Sequence, residues 1–100
     1  MSIETIKSQI QQKMAFAPKV DAKVKLDFGD EGSIFIDGTQ SPPEIKDNGD
    51  DADTVLITST ATFQKIMDGT QDPTMAYMMG KLKIKGSMGL AMKLNAILED

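Results

Sequence analysis

The sequence contains no cysteine, histidine, arginine or tryptophan. Without cysteine and histidine it has no thiol nucleophile, no imidazole base and no zinc site of the Cys/His type. Without arginine it has no bidentate clamp for a phosphate or a carboxylate. A catalyst would have to use Asp, Glu, Lys, Ser, Thr and the single tyrosine. We therefore expect a protein that is not an enzyme and that uses no metal or other cofactor.

Long apolar runs are also absent, and so is the basic and apolar start of a signal peptide. These absences predict a cytoplasmic protein. The net charge of −4 argues against nucleic acid as a partner. One hundred residues, of which 40% are hydrophobic, are enough for one core. We expect a single domain over residues 1–100 and a monomer.

The first part of the chain changes from a helical period to a strand period. Apolar residues at Ile3, Ile6, Ile10 and Met14 predict a helix of about fourteen residues that ends before Pro18. From Val20 to Phe28, apolar and polar residues alternate, which predicts a half-buried strand. A turn at residues 29–32 and an apolar run at 33–37 predict that a second strand returns as a hairpin.

An acidic loop follows Pro42 and Pro43 and invites comparison with a calcium-binding loop. The EF-hand pattern needs a glycine at its sixth position and a glutamate at its twelfth. Counted from Asp47, Gly49 comes too early and the twelfth residue is Thr58. The sequence therefore predicts a solvated loop here.

The following elements have recognisable ends. Residues 53–58 read as a third strand, and Ser59 or Thr60 can cap a short helix that Gly69 closes. Asp72 followed by Pro73 predicts the start of another short helix, which ends at Gly80. The order of elements predicts an α+β fold with a largely antiparallel sheet covered by helices on one face.

Residues 81–98 combine an alternating strand with an unusually apolar helix. Lys81, Lys83 and Lys85 alternate with aliphatic residues, so they share one face of the strand. Gly86 ends this strand and Ser87 can cap the helix 88–98, which only Lys93 and Asn95 interrupt with polar side chains. One face of this helix can pack on the sheet, and the other needs a ligand, a partner or a membrane.

Methionine is concentrated near this helix, with five of the eight methionines between residues 75 and 92. Methionines fill gaps in ordinary cores, but they also line apolar cavities that adapt to varied shapes. Both interpretations remain open. Tyr77 and Asn95 are either polar groups that contact a ligand or ordinary half-buried side chains. The lysines are either the wet face of the strand or a weak attraction to anionic lipid headgroups.

The second half of the chain resembles the sterol carrier protein 2 family. The resemblance covers residues 52–98, and its most specific part is Gly-Lys-Leu-Lys-Ile-Lys-Gly at 80–86 followed by Met-Gly-Leu-Ala-Met-Lys-Leu at 88–94. It implies a five-stranded sheet, helices around a hydrophobic tunnel, and non-catalytic binding or transfer of a sterol, fatty acid, fatty acyl-CoA or phospholipid. It also implies that the tunnel is bordered by Leu82, Ile84, Met88, Leu90, Met92 and Leu94.

The chain departs from the family pattern at its end and in its length. It ends Leu98-Glu99-Asp100 instead of with the Ser-Lys-Leu type of peroxisomal signal. It is short for the family, which suggests a minimal stand-alone member of bacterial type, for which an acyl chain is at least as good a ligand as a sterol.

The sequence thus predicts an intracellular lipid carrier with an apolar lipid as partner and transient contact with a membrane surface. The alternative is an interaction module whose last helix docks onto a second copy or an enzyme. The predicted ligand-binding residues are Phe63, Met67, Met75, Tyr77, Met78, Met79, Leu82, Ile84, Met88, Leu90, Met92, Leu94 and Asn95.

Overall fold

Helices and strands alternate irregularly along the chain, as in an α+β protein. The computed structural model describes residues 3–15, 21–40, 43–47, 49 and 51–98. The elements in chain order are α1 (Ile3–Met14), β1 (Lys23–Asp27), β2 (Ser33–Asp37), β3 (Glu44–Lys46), β4 (Thr54–Thr58), α2 (Thr60–Asp68), α3 (Pro73–Met78), β5 (Leu82–Gly86) and α4 (Met88–Leu98). A 3-10 turn, Gly29–Glu31, joins β1 to β2.

The five strands form one mixed sheet in the order β3-β2-β1-β4-β5. Three of its pairings are antiparallel, and the central pairing of β1 with β4 is parallel. The predicted α+β class and largely antiparallel sheet are confirmed. Strand β5 lies at one edge, so the last segment of the chain forms a border of the sheet.

One face of the sheet carries the hydrophobic core. Along β1, Val24 and Leu26 are fully buried while their neighbours are half-exposed, which is the alternation that the sequence predicts. Helix α1 contributes the buried side chains of Ile6, Ile10 and Met14 to the same core. Each buried aliphatic side chain contributes about 1.5–3 kcal/mol relative to an exposed one. Helices α1, α2 and α4 contact one another over this face.

The first strand begins later than the alternation suggests. It starts at Lys23 instead of Val20, and Val20 and the end of the predicted first helix after residue 15 lie outside the described residues. Asp21 has a φ of 57°, in the left-handed region, and its N–H donates to the Gly38 carbonyl (3.1 Å). The chain therefore turns just before the strand.

The sequence prediction of a plain loop after Pro43 is wrong. Residues 44–46 form β3, which pairs with the outer edge of β2, with Ile45 opposite Ile36. Three residues are too short to show a period, so the sequence gives no signal for this strand. The loop that follows is anchored as well, because Lys7 Nζ lies 2.7 Å from Asp47 Oδ1.

The predicted helix ends are confirmed by their hydrogen bonds. The N–H of Thr62 donates to Ser59 Oγ (3.1 Å) at α2, and the N–H of Leu90 donates to Ser87 Oγ (3.2 Å) at α4. Gly69 adopts a φ of 80° after α2. At α3, the N–H of Thr74 donates to Asp72 Oδ1 (2.8 Å). These caps satisfy backbone groups that a helix end would otherwise leave unpaired.

Gly86 sets the direction in which the chain passes from β5 to α4. Its φ is 95°, and a Cβ atom at this position would lie 2.5 Å from the carbonyl oxygen of Asp53. The N–H of Ser87 donates to the same carbonyl (3.4 Å). Only glycine combines this φ with so close an approach, so this residue allows α4 to fold back over the sheet.

Candidate functional site

The buried part of the predicted ligand-binding set comes together from three elements. The side chains of this part are almost completely inaccessible: Phe63 and Met67 on α2, Leu82 on β5, and Leu94 and Asn95 on α4. Phe63 also packs edge-on against Phe28, with ring centroids 5.7 Å apart. These residues belong to the interior between the sheet and the helices, and the apolar ones are part of the main core cluster.

A second part of the set lies at the margin of this interior. Ile84 on β5 and Leu90 on α4 are half-buried and pack against the core cluster. Met92 on α4 is also half-buried. Lys83 and Lys85, which alternate with these strand residues, are exposed, so the predicted two faces of β5 are confirmed. The margin is therefore apolar toward the helices and cationic toward solvent.

The remaining predicted residues lie on the surface. Met75, Tyr77, Met78, Met79 and Met88 are all exposed, and Ala76 is the only buried residue of α3. The methionines of α3 are therefore exposed instead of enclosed in the interior, and their part as a second wall stays a prediction. Helix α4, by contrast, buries Ala91, Leu94, Asn95 and Leu98. Most of the apolar surface without a protein partner is therefore on α3, whereas the sequence suggests α4.

Asn95 is the most unusual residue of the interior. Its side chain is 0% exposed, and among the described residues neither Nδ2 nor Oδ1 has a hydrogen-bond partner. Two other buried polar groups on the neighbouring strand are paired: the hydroxyls of Thr54 and Thr58 donate to the carbonyls of Lys85 (3.1 Å) and Lys81 (2.8 Å). A buried polar group without a partner costs about 1–3 kcal/mol. The interior therefore holds one donor and one acceptor group that a ligand could satisfy.

Gln64 is a second buried residue with an unpaired polar atom, and it is not among the residues predicted from the sequence. Its Nε2 donates to Asp68 Oδ1 (2.9 Å), whereas its buried Oε1 has no partner among the described residues. The signal is present in the sequence, because Thr60, Phe63, Gln64 and Met67 follow the spacing of a buried helical stripe. The spacing would have placed this glutamine inside.

Clefts open on the α1 side of the molecule. One, of about 220 Å³, lies between α1 and β3 and is lined by Met14 and Ile45 among others. Another of about 220 Å³ lies between α1 and α2 and includes Gln64 and Met67. Pockets for drug-sized ligands usually enclose about 300–1,000 Å³, so the volumes of these two clefts are below that range. A continuous hydrophobic tunnel, which the resemblance implies, stays a prediction.

The charged groups with perturbed acidity lie away from this interior. Hydrogen bonds from Thr39 lower the pKa of Asp37, and the hydrogen bond to Asp47 raises the pKa of Lys7. Within the part of the chain that the structure describes, no group of three His, Cys, Asp or Glu side chains could hold a metal ion. In the same residues, no helix has the length and apolar character needed to cross a bilayer.

The comparison with protein families is decisive for the family. The profile of the SCP-2 sterol transfer family matches residues 3–99, which is almost the whole chain. The chain belongs to the SCP-2 sterol transfer family. The resemblance that the 80–94 segment shows is therefore confirmed over the first helix and the hairpin as well.

A curated relative and two solved structures agree with this assignment. Hydroxysteroid dehydrogenase-like protein 2 of Bos taurus is 36% identical over 97 residues, which is 95% of this chain and 23% of that protein. The SCP-2 chain thus spans about a quarter of the length of this relative. The crystal structure of sterol carrier protein 2-like 2 from Aedes aegypti has a TM-score of 0.77 at 22% identity and covers 96% of this chain and 95% of that one.

A solution structure of the palmitated form of the same mosquito protein has a TM-score of 0.75 at 21% identity. The alignment covers 100% of this SCP-2 chain and 96% of that chain. Two such matches over nearly full lengths show that the mixed sheet with helices on one face is the fold of this family.

Proposed function

We propose that this SCP-2 family chain is a lipid carrier that binds one apolar lipid without changing it chemically. The observation that supports the proposal best is the unpaired amide of Asn95 within an aliphatic interior. An apolar chain would replace contacts between core side chains, and a neutral polar group of the lipid would pair with the amide. A lipid is the class of ligand that has both parts.

In this proposal the predicted residues have different parts in binding. Phe63, Met67, Leu82 and Leu94 contact the apolar chain when the helices separate, and Asn95 contacts a neutral polar group of the lipid. Ile84, Leu90 and Met92 are half-buried at the margin of the interior, so in this proposal they border the opening through which the lipid enters. Met75, Tyr77, Met78, Met79 and Met88 are exposed and meet the lipid only as it enters or leaves.

The proposed ligands are a fatty acid, a fatty acyl-CoA, a sterol or a phospholipid. The mosquito structure described as palmitated supports an acyl chain in this fold. Burial of each methylene group contributes about 0.8 kcal/mol, so the affinity should rise about fourfold per methylene until the interior is full. Titration with fatty acids from octanoate to stearate, with displacement of a fluorescent fatty acid as the signal, measures this slope.

Two substitutions of the same chemical kind provide the control. Met92→Asp puts a carboxylate at the border of the interior, whereas Lys83→Asp puts one on the exposed face of β5. The first should weaken fatty acid binding by at least about tenfold, because a buried charge is costly, and the second should change it less. Equal losses would contradict the assignment of faces. Absence of binding at every chain length would disprove the carrier function.

We propose no reaction for this chain. The name of the curated relative refers to a dehydrogenase, but the similarity covers 23% of that protein. Incubation with a fatty acyl-CoA should release no free thiol, and steady release would contradict this proposal. Sedimentation tests the alternative of an interaction module: a stable dimer of delipidated protein that takes up no lipid would favour it.

A further inference from the structure

The large apolar side chains that the described structure exposes are confined to one short region. Met75 is 49% exposed, Tyr77 40%, Met78 73%, Met79 57% and Met88 43%. We call these residues the methionine surface. They come from α3, from Met79 directly after it and from the first residue of α4, and the described elements elsewhere keep their large apolar residues buried or half-buried. Contiguous exposed apolar patches on proteins usually mark an interaction site.

The methionine surface is held in place by the fold. The Asp72 carboxylate caps α3, and the N–H of Lys81 donates to the carbonyl of Ala76 (2.9 Å), which ties the start of β5 to this helix. Ala76 is fully buried and packs α3 against the protein interior. The helix therefore presents its methionines outward in a fixed orientation. Met78 and Met79 expose more than half of their surface, so the stability of the fold depends little on these two side chains.

Positive charge predominates in the chain segment that carries this surface, although the exposed Asp72 carboxylate lies at the start of α3. Residues 73–98 contain Lys81, Lys83, Lys85 and Lys93, all exposed, and all fifteen acidic residues of the chain lie outside this segment. The whole molecule has a net charge of −4, so the positive charge is local. Such a local field attracts an anionic surface while the remainder of the molecule is repelled.

We propose that the methionine surface docks this protein onto bilayers that contain anionic lipids. Methionine and tyrosine side chains enter the interfacial region, and the lysines of β5 face lipid phosphates. A second copy of the chain fits less well, because a symmetric contact would bring the same lysines together. The inference is independent of the ligand, since a chain could dock on a membrane whether or not it carries a lipid.

Co-sedimentation with phosphatidylcholine vesicles, with and without phosphatidylserine, tests the proposal. Binding should require phosphatidylserine, because each lysine near an anionic surface is worth about a fivefold gain in affinity. Binding should also weaken at least about tenfold between roughly 50 and 500 mM salt, because salt screens exposed charges. No binding of the wild-type protein to either vesicle would overturn the proposal.

Matched variants separate the two contributions. The double variant Met78→Ser with Met79→Ser removes apolar surface and should weaken vesicle binding at least about tenfold. Lys83→Glu should weaken vesicle binding by a similar factor. Lys65→Glu makes the same charge change at an exposed position of α2 and should alter vesicle binding less than about threefold. Circular dichroism checks that each variant is folded.

Three results would overturn the inference. The first is vesicle binding by the double methionine variant equal to that of the wild type. The second is equal weakening by Lys83→Glu and Lys65→Glu, which would indicate a nonspecific charge effect. The third is a wild-type dimer in sedimentation that the double methionine variant abolishes, because a second copy would then cover this surface. Loss of fatty acid binding in the absence of vesicles would instead concern the carrier function alone.

Discussion

Replacement of Asn95 by leucine should make the ligand-free protein more stable. The two side chains have similar sizes, and Leu94 and Leu98 show that α4 already directs leucines into this core. The substitution removes a donor and an acceptor that have no partner among the described residues. It replaces them with apolar atoms in a fully buried position. Most core substitutions destabilise a protein, so an increase would be diagnostic.

The magnitude follows from the two unpaired groups. Each costs about 1–3 kcal/mol when it is buried without a partner. Imperfect fit of the branched leucine side chain takes back up to about 1.5 kcal/mol. With this packing loss subtracted from the cost of both groups, we expect a net increase of about 0.5–4.5 kcal/mol in the free energy of unfolding. Each kcal/mol should raise the Tm of a domain of this size by about 4–8 °C.

Urea denaturation of delipidated protein measures this change. The midpoint should rise while the slope stays constant, because the surface exposed on unfolding hardly changes. Leu94→Ala is the control from the same helix and should lower the free energy of unfolding by about 2–5 kcal/mol. The same Asn95→Leu protein should bind a lipid that carries a hydroxyl group, such as a sterol, more weakly. A lower midpoint would show that the amide is paired in the native protein and would refute the reasoning.

Substitutions at three further positions test other parts of the fold. Gly86→Ala should lower the free energy of unfolding by about 2 kcal/mol or more in urea, because its Cβ would meet the Asp53 carbonyl at a positive φ. Ser87→Ala should cost about 1 kcal/mol in thermal unfolding, and Ser87→Asp should keep the cap. Asp37→Asn should flatten the loss of stability in acid. Hydrogen bonds from Thr39 hold the pKa of Asp37 below its unfolded value, so its contribution is complete above that value and disappears as the pH falls through the folded pKa. Urea midpoints between neutral pH and about pH 3 measure this effect.

The sequence predicts those elements whose pattern or caps are strong. The bounds of β2, the caps at Ser59, Asp72 and Ser87, and the two faces of β5 all agree with the structure. They depend on local rules, namely the alternation of side chains along a strand and the pairing of free backbone groups at a helix end. Strand β3 depends on its partner β2 instead, and three residues carry no pattern of their own.

The candidate site is harder to predict than the fold. The spacing of apolar residues shows which side chains share a face of a helix, but not what packs against that face. The α3 methionines recur at helical spacing, yet the fold buries only Ala76 there. On α4, helical spacing predicts that Lys93 and Asn95 lie on opposite sides of the helix, but it does not predict which of the two is buried. The structure decides that Lys93 is exposed and Asn95 is buried. The choice depends on tertiary packing, which no short window of sequence contains.

The position of Asn95 constrains the polar end of the proposed ligand. Lysine is not among the buried residues that the structure describes, and the chain has no arginine. An ionised carboxylate at this depth would have no positive partner, and burial of an unpaired charge is far more costly than burial of a neutral polar group. A hydroxyl group, by contrast, both donates and accepts, as the amide does. A ligand that reaches Asn95 should therefore present a neutral group there, and a charged headgroup should remain at the surface, where the exposed lysines of β5 lie.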